Sequence, residues 1–306
     1  VFGLGVEDAV ATLAERYGIG GLEFLPPARL TDWVRAEGLF GGVLHRESGS
    51  LNPLAYARGL ARAAEAAGAQ IFERSRVAVV EPGTVALTEG AAPHPRTRAR
   101  LVTAEGSVSA DRVILCLGGY HDGLAPDYAA RVAPLRAFQI ATEPLGDRLR
   151  DLMPGGVPVS DSRFVINCFR PTPDGRLLFG GGETSRPRGP GDIAERVRRR
   201  MTRLFPSLAD IRIDHAWAGT LGISLNRAPV FRRIAPRLLA IGGWSGSGVH
   251  MASLGGEIAA EAILGEPERF ELMARIPSPA YPARGRLRRP SMAAALAFGA
   301  LKDRLG

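Results

Sequence analysis

The sequence feature that most constrains the fold is the stretch from Leu238 to Leu264, which reads LLAIGGWSGSGVHMASLGGEIAAEAIL. Its first four residues are apolar and have the character of a short strand, and a glycine-rich loop follows them. From Val249 onward the apolar positions recur at helical spacing. We therefore predict a strand, a glycine turn and a helix, which is a repeating part of an α/β sheet.

A glycine turn of this kind has a functional and a structural interpretation. The loop glycines let backbone N–H groups approach a flat or anionic ligand, and the positive end of the following helix faces that ligand. A ligand that gains negative charge would be stabilised there. The alternative is a tight strand-to-helix connection in which Gly255 and Gly256 allow close helix packing. The stretch alone does not decide between the two.

Composition places the chain among globular proteins. It has 306 residues, 45% of them hydrophobic, which is enough for one large or two intertwined domains. Cys116 and Cys168 lie in apolar runs without metal-ligand spacing, so we predict reduced, buried thiols and no metal site. No apolar stretch reaches the roughly 20 residues of a transmembrane helix, and no signal peptide is visible. We expect a cytoplasmic protein.

The net charge of +8 raises nucleic acid as a partner. The cations are spread along the chain, however, and all of them except Lys302 are arginine. This pattern indicates a bias of genome composition rather than a binding surface. We therefore predict no nucleic-acid partner, and binding to tRNA is kept as an alternative.

The first part of the chain combines helices and strands. Residues 6–17 have helical spacing, and a second helix is predicted between Asn52, as its cap, and Gly68. A strand at residues 70–72 is predicted to follow. Three further short strands, with turns at 82–83 and 93–95, are predicted at residues 77–80, 84–88 and 100–103.

A continuous apolar run at residues 111–119 ends in Gly118 and Gly119. Such a run is typical of a buried parallel strand whose carboxyl end meets a ligand. A purely structural turn at the two glycines is the alternative.

From Arg131 the pattern changes to longer β-like runs. A basic amphipathic helix is predicted at residues 193–205. Strands are predicted at residues 135–143, 164–170, 176–179 and 211–217. A mostly antiparallel block between α/β segments is expected to be a second domain inserted into the first.

The order of these segments resembles the FAD-dependent oxidoreductases of the D-amino acid oxidase superfamily, most of all the gamma-glutamylputrescine oxidase type. The matching segments, besides the opening stretch, are Gly49–Pro53, VILCLGGY, Ala141–Pro144, Phe169–Arg170, Asp174–Gly181, Trp217–Thr220 and Ala228–Pro229. The family opens with a strand and a GxGxxG turn that bind the ADP half of FAD, and nothing here matches them. We therefore expect the chain to be the carboxyl-terminal part of a flavoenzyme.

The resemblance implies an α/β fold (α+β overall). In it, an FAD-binding Rossmann-like domain, incomplete at its start, carries an inserted, mostly antiparallel substrate domain. The expected parts are a helical segment on the substrate-domain side (1–43), the FAD-binding domain (44–128 and 229–268), the substrate domain (129–228) and a basic tail with a terminal helix (269–306).

The resemblance also implies which residues meet FAD. Val77 would lie beside the adenine, and Gly118 and Gly119 near the flavin. The reduced flavin is negatively charged around N1 and the C2 carbonyl, and helix amides would stabilise that charge. The residues along this pyrimidine edge would be Gly243, Trp244, Ser245, Gly246, Ser247, Gly248, Val249 and His250.

Candidate substrate and catalytic residues complete the prediction. Arg170 and Arg176 flank a Pro-Thr-Pro-Asp-Gly turn, and an arginine fork suits a substrate carboxylate, with a solvated surface arginine as the alternative for each. Trp217 and, more weakly, His45 are further pocket candidates, although partly buried His and Trp are common in proteins. We name Arg170 and His250 as candidate catalytic residues. His250 would place charge near the flavin, or would be an ordinary hydrogen-bonding residue at a helix start.

The implied reaction is the oxidation of a primary or secondary amine or amino acid, with a gamma-glutamylputrescine-type substrate favoured. A hydride passes to the flavin, water hydrolyses the resulting imine, and oxygen or another acceptor takes the electrons. Two alternatives stay open. The chain could be a flavin-free relic or partner-binding subunit, or the oxidoreductase half of an RNA-modifying enzyme.

Overall fold

The computed structural model describes residues 4–83, 98–184 and 192–282. Within these ranges the helices are α1 (Leu4–Tyr17), α2 (Pro27–Leu30), α3 (Pro53–Ala66), α4 (Pro126–Arg131), α5 (Asp147–Leu152), α6 (Ile193–Leu204), α7 (Gly248–Leu264) and α8 (Glu268–Ala274). The strands are β1 (Leu22–Leu25), β2 (Gly42–His45), β3 (Val77–Glu81), β4 (Ala99–Thr103), β5 (Ser107–Ala110), β6 (Val113–Leu115), β7 (Val132–Thr142), β8 (Val159–Ser160), β9 (Cys168–Pro171), β10 (Leu177–Thr184), β11 (Ile213–Ser224), β12 (Val230–Ala235) and β13 (Leu238–Gly242).

The chain forms two compact units. Among the described residues, those within 4–52 and 137–219 belong to unit 1, and those within 53–136 and 220–282 belong to unit 2. Unit 2 is therefore interrupted in sequence by residues 137–219. The division falls inside β7 and β11, which contribute residues to both units.

Unit 2 contains a three-stranded sheet in the order β12, β13, β6. The pair β12 and β13 is antiparallel, whereas β13 runs parallel to β6, with Leu238 opposite Val113 and Ala240 opposite Leu115. A second sheet, β3, β4, β5, is antiparallel throughout. Helices α7 and α8 cover one side of β12 and β13 with an apolar cluster of Phe231, Leu239, Ile241, Ile258, Ala259 and Phe270.

Unit 1 is organised by a five-stranded sheet in the order β11, β7, β10, β9, β8, in which β9 is antiparallel to both of its neighbours. Strands β1 and β2 form a separate antiparallel pair. Helix α6 packs its apolar face, Val197, Met201 and Leu204, into the main core. Aromatic side chains fill that core, since Phe169 stacks on Phe179 with ring centroids 5.5 Å apart. The rings gain the transfer free energy of large apolar groups.

The observed fold confirms the coarse prediction of a mixed α/β chain with an antiparallel sheet. The predicted strand, glycine turn and helix at 238–264 are confirmed by β13 and α7. The predicted helices near the chain start, after Asn52 and at 193–205 correspond to α1, α3 and α6. The buried run 111–119 holds the predicted parallel strand, although only Val113–Leu115 are extended.

Two strand predictions are wrong. Residues 70–72 form no strand in the described chain, because a turn with Arg74 at φ 57° follows at once and Ile71 and Phe72 remain exposed. In the run 164–170, only Cys168 onward is extended. The preceding residues are folded into a turn by Asp161, whose carboxylate accepts hydrogen bonds from the Asn167 backbone at 2.9 Å and from its side chain at 2.5 Å.

The prediction of buried thiols is also wrong, because Cys116 and Cys168 are both exposed. Strand β6 ends at Leu115, so Cys116 lies just beyond the buried strand. Cys168 lies on the face of β9 opposite the buried Phe169, since side chains alternate along a strand.

Several predictions fall outside the described residues. They are the strand 84–88, the turn 93–95 and the terminal helix with Lys302. The first residues of the predicted tail are described, and Phe270 of α8 is fully buried in the core of unit 2. Across the described ranges, no helix is long and apolar enough to cross a membrane.

Candidate functional site

The candidate site lies at one edge of the β12, β13, β6 sheet. Strand β6 leads through Cys116 and Leu117 into Gly118 and Gly119, and its parallel neighbour β13 ends at Gly242 and leads into Gly243. Because adjacent parallel strands end at the same edge, the two glycine pairs leave the sheet side by side. This edge is where ligands bind in open α/β sheets.

Some of the predicted glycines are required by packing. A Cβ atom on Gly119 would lie 2.4 Å from the Leu221 carbonyl oxygen, and one on Gly243 would lie 2.8 Å from Cγ2 of Val230. Real Cβ atoms do not approach other atoms so closely. Gly119 therefore lets its backbone approach that of Leu221, and Gly243 leaves room for the Val230 side chain.

Two other glycines border open space. Gly118 has φ +54° and Gly246 has φ +105°, and in the described part of the chain no atom lies within 4 Å of a Cβ built on either. A ligand could therefore approach the backbone at these two positions. Gly248 differs, because its Cβ would point towards the Trp244 ring, 3.6 Å from Cδ1.

The first turn of α7 adds electrostatics to this edge. Ser247, Val249 and His250 are exposed there. The first N–H groups of a helix have no partner within the helix and carry its positive dipole end. The amides of Gly248, Val249 and His250 therefore favour a negatively charged ligand.

The loop between β13 and α7 is held by hydrogen bonds. Ser245, at φ 52°, donates its N–H to the Gly222 carbonyl and its hydroxyl to the Gly243 carbonyl, both at 3.0 Å. Its hydroxyl oxygen also accepts the Ser224 N–H at 3.1 Å. Trp244 packs edge-on against Phe231 with ring centroids 6.0 Å apart. Trp244 and Ser245 thus fix the conformation of the loop.

Two tyrosines at this edge were missed by the sequence analysis. Tyr120 directly follows the glycine pair and is 65% exposed, and its phenol oxygen accepts the Thr220 N–H at 2.9 Å. Hydrogen bonds from the Thr220 side chain and backbone lower the pKa of Tyr120. Tyr128 is fully buried and donates its hydroxyl to the Gly118 carbonyl at 3.0 Å. The position of Tyr120 after two glycines was a usable signal, whereas no pattern marked Tyr128.

Val77 is the half-buried first residue of β3 and lies opposite Thr103 of β4. The preceding Arg76 forms an ion pair with Asp122, at 2.8 Å, in the loop after β6. Both partners are exposed, so the pair contributes little free energy. It does show that the start of β3 lies near the loop that contains Gly118.

Arg176 in unit 1 is held by neighbouring acids. Its guanidinium donates to Asp214 at 2.5 Å, to Asp174 at 2.7 Å and to the Thr142 carbonyl at 2.8 Å. The carboxylate of Asp214, followed by that of Asp174, raises the pKa of Arg176. These contacts favour a structural role for Arg176 over a substrate-binding one.

The remaining candidates of unit 1 are less constrained. Arg170 is half-buried and donates to the Leu51 carbonyl at 3.4 Å, a weak contact that uses one of its five N–H groups. Trp217 on β11 is 42% exposed, and His45 at the end of β2 is exposed. All of these residues belong to unit 1, whereas the predicted FAD-binding residues belong to unit 2.

A parallel strand pair with a glycine edge places the chain in the broad class of α/β proteins that bind ligands at the carboxyl ends of their strands. Residues 4–262 match the family described as FAD dependent oxidoreductase, and the chain belongs to this family. The family match agrees with the resemblance seen in the sequence.

Individual relatives support the assignment. The chain is 35% identical over 295 residues to the probable oxidoreductase OrdL of Rhizobium meliloti (strain 1021), covering 96% of this chain and 66% of that protein. It is 33% identical over 294 residues to the gamma-glutamylputrescine oxidoreductase of Escherichia coli (strain K12), covering 95% of this chain and 66% of the relative. The chain thus spans just under two thirds of the length of these relatives.

Solved structures share the fold at lower identity. The glycine oxidase of Geobacillus kaustophilus superposes with a TM-score of 0.70 at 19% identity, covering 92% of this chain and 72% of that one. The L-proline dehydrogenase of P. horikoshii gives a TM-score of 0.67 at 18% identity, covering 88% and 74%. These likenesses show that the chain shares the fold of these two proteins.

Proposed function

We propose that this chain contains the flavin-binding edge of an FAD-dependent amine or amino-acid oxidoreductase. The observation that carries the proposal is the parallel pair β6 and β13, whose glycine loops leave one sheet edge beside the start of α7. In this proposal unit 2 is a Rossmann-like FAD-binding domain. Unit 1 is the inserted substrate domain, since residues 137–219 interrupt unit 2 in sequence.

The residues at the edge suit a flavin. The open backbone at Gly118 and Gly246 would admit a flat ring, and the first amides of α7 would face its electron-rich side. Preorganised donors of this kind stabilise charge that develops during a reaction. Val77, near the loop after β6, remains the candidate for the adenine contact.

When bound, FAD would accept a hydride from the carbon that bears the substrate nitrogen, leaving an imine for hydrolysis. The task of the protein is then to orient the amine, exclude water and place positive charge, which the start of α7 supplies. Arg170 would bind a substrate carboxylate, because an arginine fork matches a carboxylate. His250, exposed on the first turn of α7, would place charge near the ring.

The similarity to a gamma-glutamylputrescine oxidoreductase makes a gamma-glutamylated diamine the favoured substrate. The direct test is anaerobic titration of the full-length, FAD-loaded protein with gamma-glutamylputrescine, putrescine and glycine. We expect the visible absorbance of the oxidised flavin to bleach first with gamma-glutamylputrescine. Absence of flavin from the purified protein, or bleaching by none of the amines, would contradict the proposal.

Two matched glycine variants test where the flavin binds. Gly246 precedes α7 and Gly265 caps its other end, with φ +105° and +108°, and in the described residues neither Cβ direction meets an atom within 4 Å. Alanine at either position should therefore cost the same backbone strain, about 1–3 kcal/mol of unfolding free energy. Only Gly246→Ala should also weaken FAD binding, by about tenfold or more. Equal FAD dissociation constants would place the flavin elsewhere.

A further inference from the structure

Tyr128 lies between the two glycine loops of the candidate site, which are the loop at Gly118–Gly119 after β6 and the loop that begins at Gly243 after β13. It lies in α4 with 0% of its surface exposed. Its hydroxyl donates to the Gly118 carbonyl at 3.0 Å, and Gly242 at the end of β13 lies against the same hydroxyl oxygen. Gly118 follows β6 and Gly243 follows β13. A single hydroxyl group therefore lies between the loop after β6 and the end of β13.

The fit around this hydroxyl is close. A Cβ atom on Gly242 would lie 2.1 Å from the phenol oxygen, so the end of β13 can approach Tyr128 only because residue 242 is glycine. Burial raises the pKa of Tyr128, which keeps the phenol protonated and able to donate. Residue 242 must therefore be glycine, and residue 128 needs a hydroxyl group to donate to the Gly118 carbonyl.

The ring itself is fixed by a second layer of contacts. His121 packs edge-on against Tyr128 with ring centroids 6.0 Å apart. Nδ1 of His121 accepts the Gly123 N–H at 3.4 Å, so the hydrogen-bond network assigns the proton to Nε2, which lies 3.0 Å from the Val132 carbonyl oxygen. The rest of the ring lies in the apolar cluster that includes Leu115. Tyr128 therefore has little freedom to change its position.

We propose that Tyr128 is a positioning residue of the flavin site, whose hydroxyl fixes the spacing between the loop after β6 and the loop after β13. This inference rests on the proposed function. Sites hold their ligands in productive geometry when neighbouring groups fix the backbone that contacts the ligand. Tyr128 contacts the loop after β6 and the end of β13 at once, and its side chain is fully buried.

The test compares Tyr128→Phe with Tyr281→Phe in the full-length, FAD-loaded protein. Tyr281 is a control, because its half-buried hydroxyl also donates to a backbone carbonyl at 3.0 Å, that of Ile223, which belongs to β11 and not to a glycine loop. Both variants lose one phenol hydroxyl that donates to a backbone carbonyl, and both should lose some thermal stability. Only Tyr128→Phe should raise the FAD dissociation constant, by about tenfold, because it leaves the Gly118 carbonyl without its partner and removes the oxygen that lies against the end of β13.

The readouts are the FAD dissociation constant, the visible spectrum of the bound flavin and the melting temperature with and without FAD. Unchanged FAD affinity and spectrum in Tyr128→Phe would overturn the positioning role while leaving the proposed function intact. A wild-type protein that binds no FAD would overturn both. If Tyr128→Phe does not fold, hydrogen exchange of the wild type replaces it. FAD should then protect the amides of 118–119 and 243–246 together, and protection of one loop alone would overturn the inference.

Discussion

The two regions that hold the predicted functional residues are built by different means. In unit 2, the edge of β6 and β13 is made of backbone, with close approaches at Gly119 and Gly243 and a single phenol between the loops. In unit 1, the region around Arg176 is made of charged side chains that pair with Asp174 and Asp214. At the edge of unit 2, the first backbone amides of α7 can donate hydrogen bonds to a ligand. The guanidinium of Arg176, in contrast, already has hydrogen-bonding partners within unit 1.

This difference shows what each kind of region can contribute to a site. Backbone amides at a helix start carry fixed, oriented partial charges that need no reorganisation. An arginine has to give up its existing hydrogen bonds before it binds a substrate. Of the two arginines proposed from the sequence, Arg170, whose contact with the Leu51 carbonyl is weak, is thus better suited to a substrate than Arg176.

The contrast between a unit 1 built from side chains and a unit 2 edge built from backbone would fail if the packed side chains of unit 1 contributed little to its stability. Phe179 is fully buried and stacks on Phe169. Phe179→Ala should lower the free energy of unfolding by about 3–5 kcal/mol, because it leaves a cavity in the core. Urea denaturation measures this value. Phe72→Ala, in unit 2 and at a side chain 69% exposed, is the control and should stay within about 0.5 kcal/mol. A loss below about 1 kcal/mol for Phe179→Ala would contradict the packing account.

A pair of glycine variants in unit 2 tests whether its close backbone approaches are needed for stability. Gly119→Ala should lower the free energy of unfolding by about 1–3 kcal/mol, because its methyl group would meet the Leu221 carbonyl oxygen at 2.4 Å. Gly256→Ala should instead raise it by about 0.5–1 kcal/mol, because Gly256 is helical and, among the described residues, its Cβ direction meets no atom. Opposite signs in urea melts of the two variants are the expected result. Equal, small effects would mean that the backbone approach at Gly119 can relax.

The same difference explains what the sequence could predict. Apolar strands that end in glycine pairs are typical of α/β sheets, so the sequence could predict the strand–turn–helix unit of β13 and α7 and the turn at Gly118–Gly119. The sequence could not separate the packed Gly119 from the open Gly118, since the partner of Gly119 is Leu221, far along the chain. Periodicity also found the amphipathic α6.

Long-range partners account for the other failures. Tyr128 has no local pattern, because only the fold brings together the loop after β6 and the end of β13 that its hydroxyl meets. The acids that hold Arg176 are likewise distant or unremarkable in sequence, as Asp214 is 38 residues away. The strand predicted at 70–72 failed because a short apolar run does not by itself supply a neighbouring strand.

The smallest expected effect is on the pH dependence of stability, and it tests the charged residues around Arg176 in unit 1. The Arg176 hydrogen bond, followed by that of Arg212, lowers the pKa of Asp214, so folding favours the ionised carboxylate. A depressed folded-state pKa stabilises the protein fully above the ordinary carboxyl value of about 4 and loses that contribution as the pH falls through the lowered pKa. Asp214→Asn removes this contribution. The difference in urea midpoint between wild type and variant should therefore be constant from pH 7 to about pH 4 and shrink below it.

The control for this experiment is Arg212→Gln, which removes the second partner of Asp214 and leaves Arg176 in place. In that background Asp214→Asn should still produce a pH-dependent difference, because the strongest hydrogen bond to the carboxylate remains. We expect the difference to be small, since partly exposed ion pairs are screened by water. A difference that stays constant from pH 7 to pH 3 would mean that Asp214 acts through packing alone. The region around Arg176 would then be held together as unit 2 is, by close fit rather than by charge.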